Sequence, residues 1–311
     1  MCGISGFISN NYNKNDLVKM TDTLSHRGPD ASGYFFDQDR GVALGHKRLS
    51  IIDLSSKANQ PMTSDCGRYI MVYNGEIYNF KDLAKKLKKT NWITSSDSEV
   101  VLEAFVNWGV NFVHQLNGMF AIAIFDKKEE KLFLFRDRMG IKPLYYFYNE
   151  KNLIFSSELK AICAIKKNLE LNNNTIYAYL HLGYIPSNLT IYNEIFKISP
   201  GSFLAYQKGE ISIEFYWKAE NKLKKEVNQN FIKSKQELKL LLQESVEKRL
   251  ISDVPIGTFL SGGIDSSLVT AVAQEINSST INTFSIGFDD KKHNESFHAK
   301  QVANYLGTNH N

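Results

Sequence analysis

Cysteine is scarce in this 311-residue chain: Cys2, Cys66 and Cys163 stand far apart, with no C-x-x-C spacing among them. An odd, scattered set excludes a disulfide framework and offers no zinc signature. Long apolar runs are missing too. The longest, such as "MFAIAIF", are of strand length and too short to span a bilayer. The opening "MCGISGFISN" has neither the basic n-region nor the apolar h-region of a signal peptide. Charge of one sign is not in large excess, since 37 Lys and Arg face 33 Asp and Glu for a net +4. The densest basic stretches, "KDLAKKLKK" and "KLKKE", lack the aromatic or arginine partners of a nucleic-acid surface and read as solvated helix faces. The expectation is a soluble protein of the reducing cytoplasm with neither nucleic acid nor membrane among its partners.

What is present is ordinary globular composition, 43% hydrophobic and 23% charged, over a length sufficient for two domains. The first two-thirds is rich in β-branched and aromatic runs bounded by turn residues, among them "GISGFIS", "VALGHKRLSIID", "YIMVYNGEIY", "GMFAIAIFD" and "KLFLFRD". Helical stripes interrupt them, Leu17, Met20 and Leu24 forming one and Phe80, Leu83 and Leu87 another. Clustered strands with helices between predict an α+β domain over 2–217 with stacked sheets and outer helices. The charged, aromatic-free stretch 218–230 ("KAENKLKKEVNQN") reads as a linker. Beyond it, 231–311 takes on an α/β rhythm: two short strands and three helices, one crossover unit of a parallel sheet. Two strands leave an open edge, so this second domain is expected to be cut short at "GTNHN".

Several short stretches can carry chemistry, and each has a plain structural alternative. Removal of Met1 would leave Cys2 with a soft nucleophile and a free α-amine on one residue; the alternative is an accident of where the chain starts. "LSGGIDSS" (260–267) places glycines and serines between a strand and a helix, which makes an anion site or simply a Gly-Gly turn followed by an Asp and Ser cap. It is not a Walker A loop, because no lysine follows the glycines. Asp265 there would need a magnesium ion between itself and a phosphate. "YNGEIYN" contains Asn-Gly, the strongest short hairpin signal; a sharp bend there would either just connect strands or present the Gly75 N–H and the Asn74 amide to an oxyanion. In "SSDSEV", Ser96 and Glu99 predict a capping box and Asp97 suits the helix dipole, the alternative being a grip on a ligand ammonium. Arg48 ends a strand among apolar residues and calls for a carboxylate, structural or from a ligand. His26, in "SHRGPD", leaves a cysteine–histidine hydrolase open.

Taken in order, "MCGISGF", "HRGPD", "GHKRLSIID", "YNGEIYN", "SSDSEV", "LNGMFAIAIFD", "RDRMGIKPLYY", "SSELKAI", "SPGS" and "DVPIGTFLSGGIDSS" resemble the glutamine-hydrolysing asparagine synthetases over nearly the whole chain. A small departure is Ser25, where family members often carry a basic residue. The resemblance implies an N-terminal-nucleophile amidotransferase domain with αββα layers, followed by the opening of an ATP-pyrophosphatase domain. It implies that Cys2 attacks the glutamine amide, with its α-amine as base, and that Asn74 and Gly75 are the oxyanion donors. Arg48, with Leu49, Ser50, Ile51 and Ile52, matches the glutamine carboxylate site, and Glu76 and Asp97 match the ammonium site. In the second domain Ser261, Gly262, Gly263, Asp265, Ser266 and Ser267 match the ATP pyrophosphate loop. Asp265 faces Mg2+ there, and Leu260 and Ile286 flank the adenine. The family's small-molecule substrates are glutamine, aspartate and ATP, with β-aspartyl-AMP as intermediate; a homodimer is left open. A glutaminase without ligase activity, an amidotransferase acting on another carboxylate or a sugar, and a non-enzymatic binding module are the competing readings.

Overall fold

The computed structural model describes residues 1–186, 188–222, 230–290 and 294–311. The chain divides into two units, Met1–Leu223 and Lys224–Asn311. Residues 223–229 of the expected linker lie outside the described residues.

The first unit opens with β1 (Gly3–Ile8), α1 (Lys14–Asp22), β2 (Ala31–Asp37), β3 (Val42–Arg48), β4 (Met62–Thr63) and β5 (Tyr69–Ile77). It continues through α2 (Phe80–Lys86), α3 (Asp97–Trp108), β6 (Gly118–Asp126), β7 (Lys131–Arg136), β8 (Tyr145–Asn149) and β9 (Asn152–Ser156). It closes with α4 (Leu159–Ile165), α5 (Asn173–Leu182), β10 (Ile195–Lys197), β11 (Ser202–Gln207) and β12 (Glu210–Phe215). These strands form two six-stranded sheets, ordered β10-β8-β9-β1-β3-β2 and β12-β11-β7-β6-β5-β4. Alternation explains the layering, because successive side chains of a strand point to opposite faces. Ile4, Val42 and Leu44 of one sheet meet Ile70, Val72, Ala121, Ala123 and Leu134 of the other in a shared core. The opposite face of the first sheet carries Phe7 and Ala43 under Leu17, Met20 and Leu24 of the α1 region and Ala161 and Ile162 of α4. On the second sheet, Phe105 of α3 packs edge-on against Phe112 and Phe133. The result is an αββα sandwich.

Two local expectations fail. Asn74–Gly75 is no hairpin turn; it lies inside β5, where Asn74 pairs with Ala121 and Gly75 with Phe120. Glycine is needed there for close approach of strands, since a Cβ would stand 2.3 Å from the Met119 carbonyl oxygen. The Ser96–Glu99 capping box is only half made. Ser96 Oγ accepts the Ser98 N–H at 3.2 Å, while the Glu99 carboxylate turns back to the N–H groups of Ile93 and Thr94 and to Lys89 Nζ at 2.8 Å. That carboxylate is filled by these donors, and the Ser96 N–H goes instead to Thr94 Oγ1 at 3.3 Å.

The second unit runs α6 (Phe231–Arg249), β13 (Gly257–Phe259), α7 (Ile264–Ile276), β14 (Asn282–Phe284), α8 (Ser296–Leu306) and β15 (Asn309–His310). Its three strands are parallel in the order β13-β14-β15. The third strand was not expected: "NHN" is too short and polar to read as one, and it is held by pairing Asn309 and His310 to Asn282 and Thr283. Among the described residues no helix is long and apolar enough to cross a membrane.

Candidate active site

Period-two alternation carries the inner rows of both sheets out of the core and into one cavity. In β3 the row Val42, Leu44 continues as His46 and Arg48; in β5 the row Ile70, Val72 continues as Asn74 and Glu76. Cys2, one residue before β1, is in phase with Ile4, and the Gly3–Lys47 pairing sets it beside Arg48. Cys2, Arg48, Leu49, Ile51, Ile52, Asn74, Gly75, Glu76 and Asp97 all line the cavity, together with Met1, Gln60, Tyr73, Ser96 and Lys142. Ser50 is not among the lining residues; its N–H donates to Asp30 Oδ2 at 2.7 Å. His26 is also outside, paired with Glu158 at 3.0 Å on the exposed surface.

The cavity is sorted by charge. Arg48 is buried, yet its acceptors are neutral: Ser55 O and Asn59 Oδ1, both at 2.7 Å, and Asp53 O. Among the described residues it forms no ion pair, so a ligand carboxylate would be its first full counter-charge. Asp97, at the start of α3, accepts the Tyr73 hydroxyl at 2.8 Å and the Ile77 N–H at 2.9 Å. Burial raises its carboxyl above the ordinary range, and burial does the same to Glu76. Two half-destabilised carboxylates in one cavity call for a cation.

Two donors belong to adjacent residues that line this cavity. The Asn74 Nδ2 is buried with no hydrogen-bond partner. Tyr73 and Ile77 use their N–H groups on Gln60 Oε1 at 2.6 Å and Asp97 Oδ2, and alternation puts the Gly75 N–H on the same strand edge between them. The Cys2 thiol lies against the Leu49 main chain, its Sγ 3.4 Å from the N–H and 3.6 Å from the carbonyl. Burial pushes the thiol up, so it stays protonated near neutral pH and needs a base to become a nucleophile. The Met1 amine beside it is pushed down by burial, with Cys2 and Glu76 opposing and Lys142 and Arg27 reinforcing that shift.

Sequence reasoning missed Lys142, Gln60 and Tyr73. A lysine set between Ile141 and Pro143 in "GIKPL" was the one available signal. It missed His46 as well, which is buried and bonds the Tyr73 carbonyl at 3.1 Å, tying one sheet to the other. Burial holds this imidazole down to about 4. The unfolded chain titrates near 6.5, so stability is present above that value and is lost as pH falls toward the folded value. Between pH 7 and pH 5 the first unit should lose about 2 kcal/mol from this residue. Denaturant midpoints at the two pH values check this, and His46→Gln should flatten the difference.

In the second unit, Gly263 caps α7 with no side-chain hydrogen bond, so the expected Asp and Ser cap is not made. The serines bond the loop instead: Ser261 Oγ and Ser266 Oγ lie 2.9 Å apart, and Ser266 donates to the Gly263 carbonyl at 3.1 Å. Gly262 has φ +83°, and a Cβ there would meet His298 Cβ at 2.7 Å. The Ser267 hydroxyl is buried without a partner, and Asp265 is exposed. Leu260 is 1% exposed and packs on Ala299 and Ala303, so its side chain belongs to the core, whereas Ile286 is 70% exposed. Among the described residues no three His, Cys, Asp or Glu side chains converge as a metal cage.

Residues 1–217 match the family model described as glutamine amidotransferase domain, and residues 237–311 match the one described as asparagine synthase. The chain is 39% identical to a Methanocaldococcus jannaschii protein provisionally named asparagine synthetase (glutamine-hydrolysing) 2, covering 100% of this chain and 64% of that one. It is 35% identical to asparagine synthetase (glutamine-hydrolysing) 1 of Bacillus subtilis, over 99% of this chain and 49% of that one. The chain thus spans about half to just under two-thirds of the length of these relatives. Among solved structures, the B. subtilis glutamine phosphoribosylpyrophosphate amidotransferase with ADP and GMP shares the fold, with TM-score 0.50 and 16% identity over 100% of this chain and 65% of that one.

Proposed function

This chain belongs to the glutamine amidotransferase domain family, and from that premise we propose that it releases ammonia from glutamine at Cys2 for the ATP-dependent amidation of aspartate. The observation that carries the first half is the unpartnered, buried Asn74 Nδ2 in the cavity that Cys2 lines. An orphaned buried donor destabilises the empty site by roughly 1–3 kcal/mol, and it is relieved when an oxyanion forms there.

Excision of Met1 frees the α-amine of Cys2. Glutamine enters with its carboxylate on Arg48 and its ammonium between Asp97 and Glu76. The amine takes the thiol proton as Sγ bonds to the amide carbon, and the oxyanion is met by Asn74 Nδ2 and the Gly75 N–H. The same amine returns the proton to the departing ammonia as the C–N bond breaks. Water then cleaves the thioester and glutamate leaves.

Asp97→Asn should raise KM for glutamine on the order of 10²-fold with a smaller change in kcat, because a buried charge partner of the ammonium is lost. Steady-state glutamate release measures both constants.

In the second unit, the uncapped α7 N-terminus and the free Ser267 hydroxyl fit a pyrophosphate group. Residues 261–267 would hold the ATP phosphates, and Leu260 could reach the adenine only through its main chain. Magnesium would arrive on the phosphates and meet Asp265, the usual way this ion is shared between nucleotide and one carboxylate. Glutamate release tests the first half of the reading; aspartate-dependent exchange of pyrophosphate into ATP tests the second. Glutamate release without exchange would reduce the function to that of a glutaminase.

A further inference from the structure

The stretch "RDRMGIKPL" contributes no step to the chemistry above, yet it is braced from both sides. The Asp137 carboxylate is 1% exposed and accepts four backbone N–H groups, those of Phe120, Met139, Ile141 and Lys142, at 2.9–3.2 Å. The Arg136 guanidinium donates to the carbonyls of Lys142 at 3.0 Å, Ile198 at 2.6 Å and Gly140 at 2.8 Å. Gly140 supplies the left-handed turn, φ +65°. Charge-assisted bonds of this number fix a backbone far more tightly than a surface loop requires.

What the brace presents is Lys142. Both its N–H and its carbonyl are held, it is 3% exposed, and it lines the same cavity as Met1, Cys2, Glu76 and Asp97. Among the described residues its ammonium makes neither an ion pair nor a side-chain hydrogen bond. An ammonium held this way in a buried cavity is costly unless nearby charge compensates it. The cavity's fixed charges are Arg48 and Lys142 against Glu76 and Asp97, which sum to zero. A bound α-amino acid is itself neutral overall. Its carboxylate offsets Arg48, and its ammonium, set between Asp97 and Glu76, offsets one of their two negative charges, which leaves the other to Lys142.

We propose that Lys142 is the internal counter-cation of this site, a positioning residue that neutralises the leftover carboxylate and keeps the amine of the freed Cys2 unprotonated. The inference rests on the reading of Cys2 as an N-terminal nucleophile. A fixed cation beside an amine penalises its ammonium form and enlarges the neutral fraction available to accept the thiol proton. With Met1 in place, Cys2 and Glu76 favour the ammonium form of the Met1 amine while Lys142 and Arg27 disfavour it. The Cys2 nitrogen, one residue further along and in the same cavity as Lys142 and Glu76, becomes the amine on excision. Asp97 and Arg48 face the thiol from α3 and β3. His46 is held neutral and the Tyr73 phenol is held protonated, so neither contributes charge. Arg27 donates to the Cys2 carbonyl at 3.0 Å and is tied to Glu158 at 2.8 Å, so its charge is already shared. Lys142 is then the unshared cation that tips the balance.

Two pH profiles on the full chain test this. In Lys142→Met the acid limb of kcat/KM for glutamine hydrolysis should move up by about one pH unit, a loss that approaches about tenfold on the acid side of the limb. Lys142→Arg should leave the limb in place. The second profile is the rate of Cys2 alkylation by iodoacetamide, in a background of Cys66→Ser and Cys163→Ser, which should shift in the same way. A uniform loss of rate at every pH with both limbs unmoved would overturn the proposal, because a lysine needed only for folding behaves like that. If Lys142→Met is insoluble, Lys142→Gln takes its place in both measurements. Absence of glutamine hydrolysis in the unmodified protein would sink the glutaminase reading, while the alkylation profile would still decide the role of Lys142.

Discussion

Cys2→Ala should abolish glutamate release, by on the order of 10³-fold or more, while leaving the fold and glutamine binding intact. The thiol is the most nucleophilic group lining the cavity, and among the described residues its hydrogen bonds are weak sulfur contacts to the Leu49 main chain. Its loss therefore removes the reaction without unseating a partner. Glutamate release reads the rate, and thermal unfolding reads the fold. A variant that keeps Met1, for example with a bulky residue ahead of Cys2, should be equally inactive, since the thiol would be present but the base would be an amide nitrogen. Retained hydrolysis in Cys2→Ala would assign the chemistry to another residue. Retained hydrolysis with Met1 in place would return attention to a cysteine–histidine pair.

Asn74→Ala should lower kcat by roughly 10²–10³-fold with little change in KM, as expected for a donor that acts on the oxyanion and not on bound substrate. The buried Nδ2 has no partner in the empty site, so the truncation breaks no existing bond on that atom. The variant should fold at least as stably as the parent, because an unsatisfied polar group is removed from the interior. Activity and stability are thus expected to move in opposite directions. Equal losses in both would mean that Asn74 serves packing. Rate constants from steady-state kinetics and midpoints from denaturant unfolding separate the two.

The α+β class with stacked sheets was legible in clustered strand runs such as "YIMVYNGEIY" and "VALGHKRLSIID" with helical stripes between them, while the αββα layering followed from the family resemblance. What alternation does not tell is where the partner sheet lies. Arg48 could be read as needing a carboxylate, but that its neighbours are three neutral oxygens is a tertiary fact. The Asn-Gly misreading has the same origin. Turn propensity describes an isolated dipeptide, whereas here the strand β6 crowds Gly75 so closely that any side chain would collide with Met119. Lys142 was missed for a further reason, despite its place in "GIKPL". Its importance lies in a backbone clamp by Asp137 and Arg136, and no local pattern announces a clamp.

One strand, β5, carries both core and chemistry on a single row: Ile70 and Val72, then Asn74 and Glu76. Substitutions can alter that row one position at a time. A single inserted residue after Val72 would leave the apolar half seated and rotate Asn74 and Glu76 together to the helical face. The site is thus encoded in strand length as much as in residue identity, and a change in residue count along Tyr69–Ile77 would dismantle at once what a substitution weakens at one position.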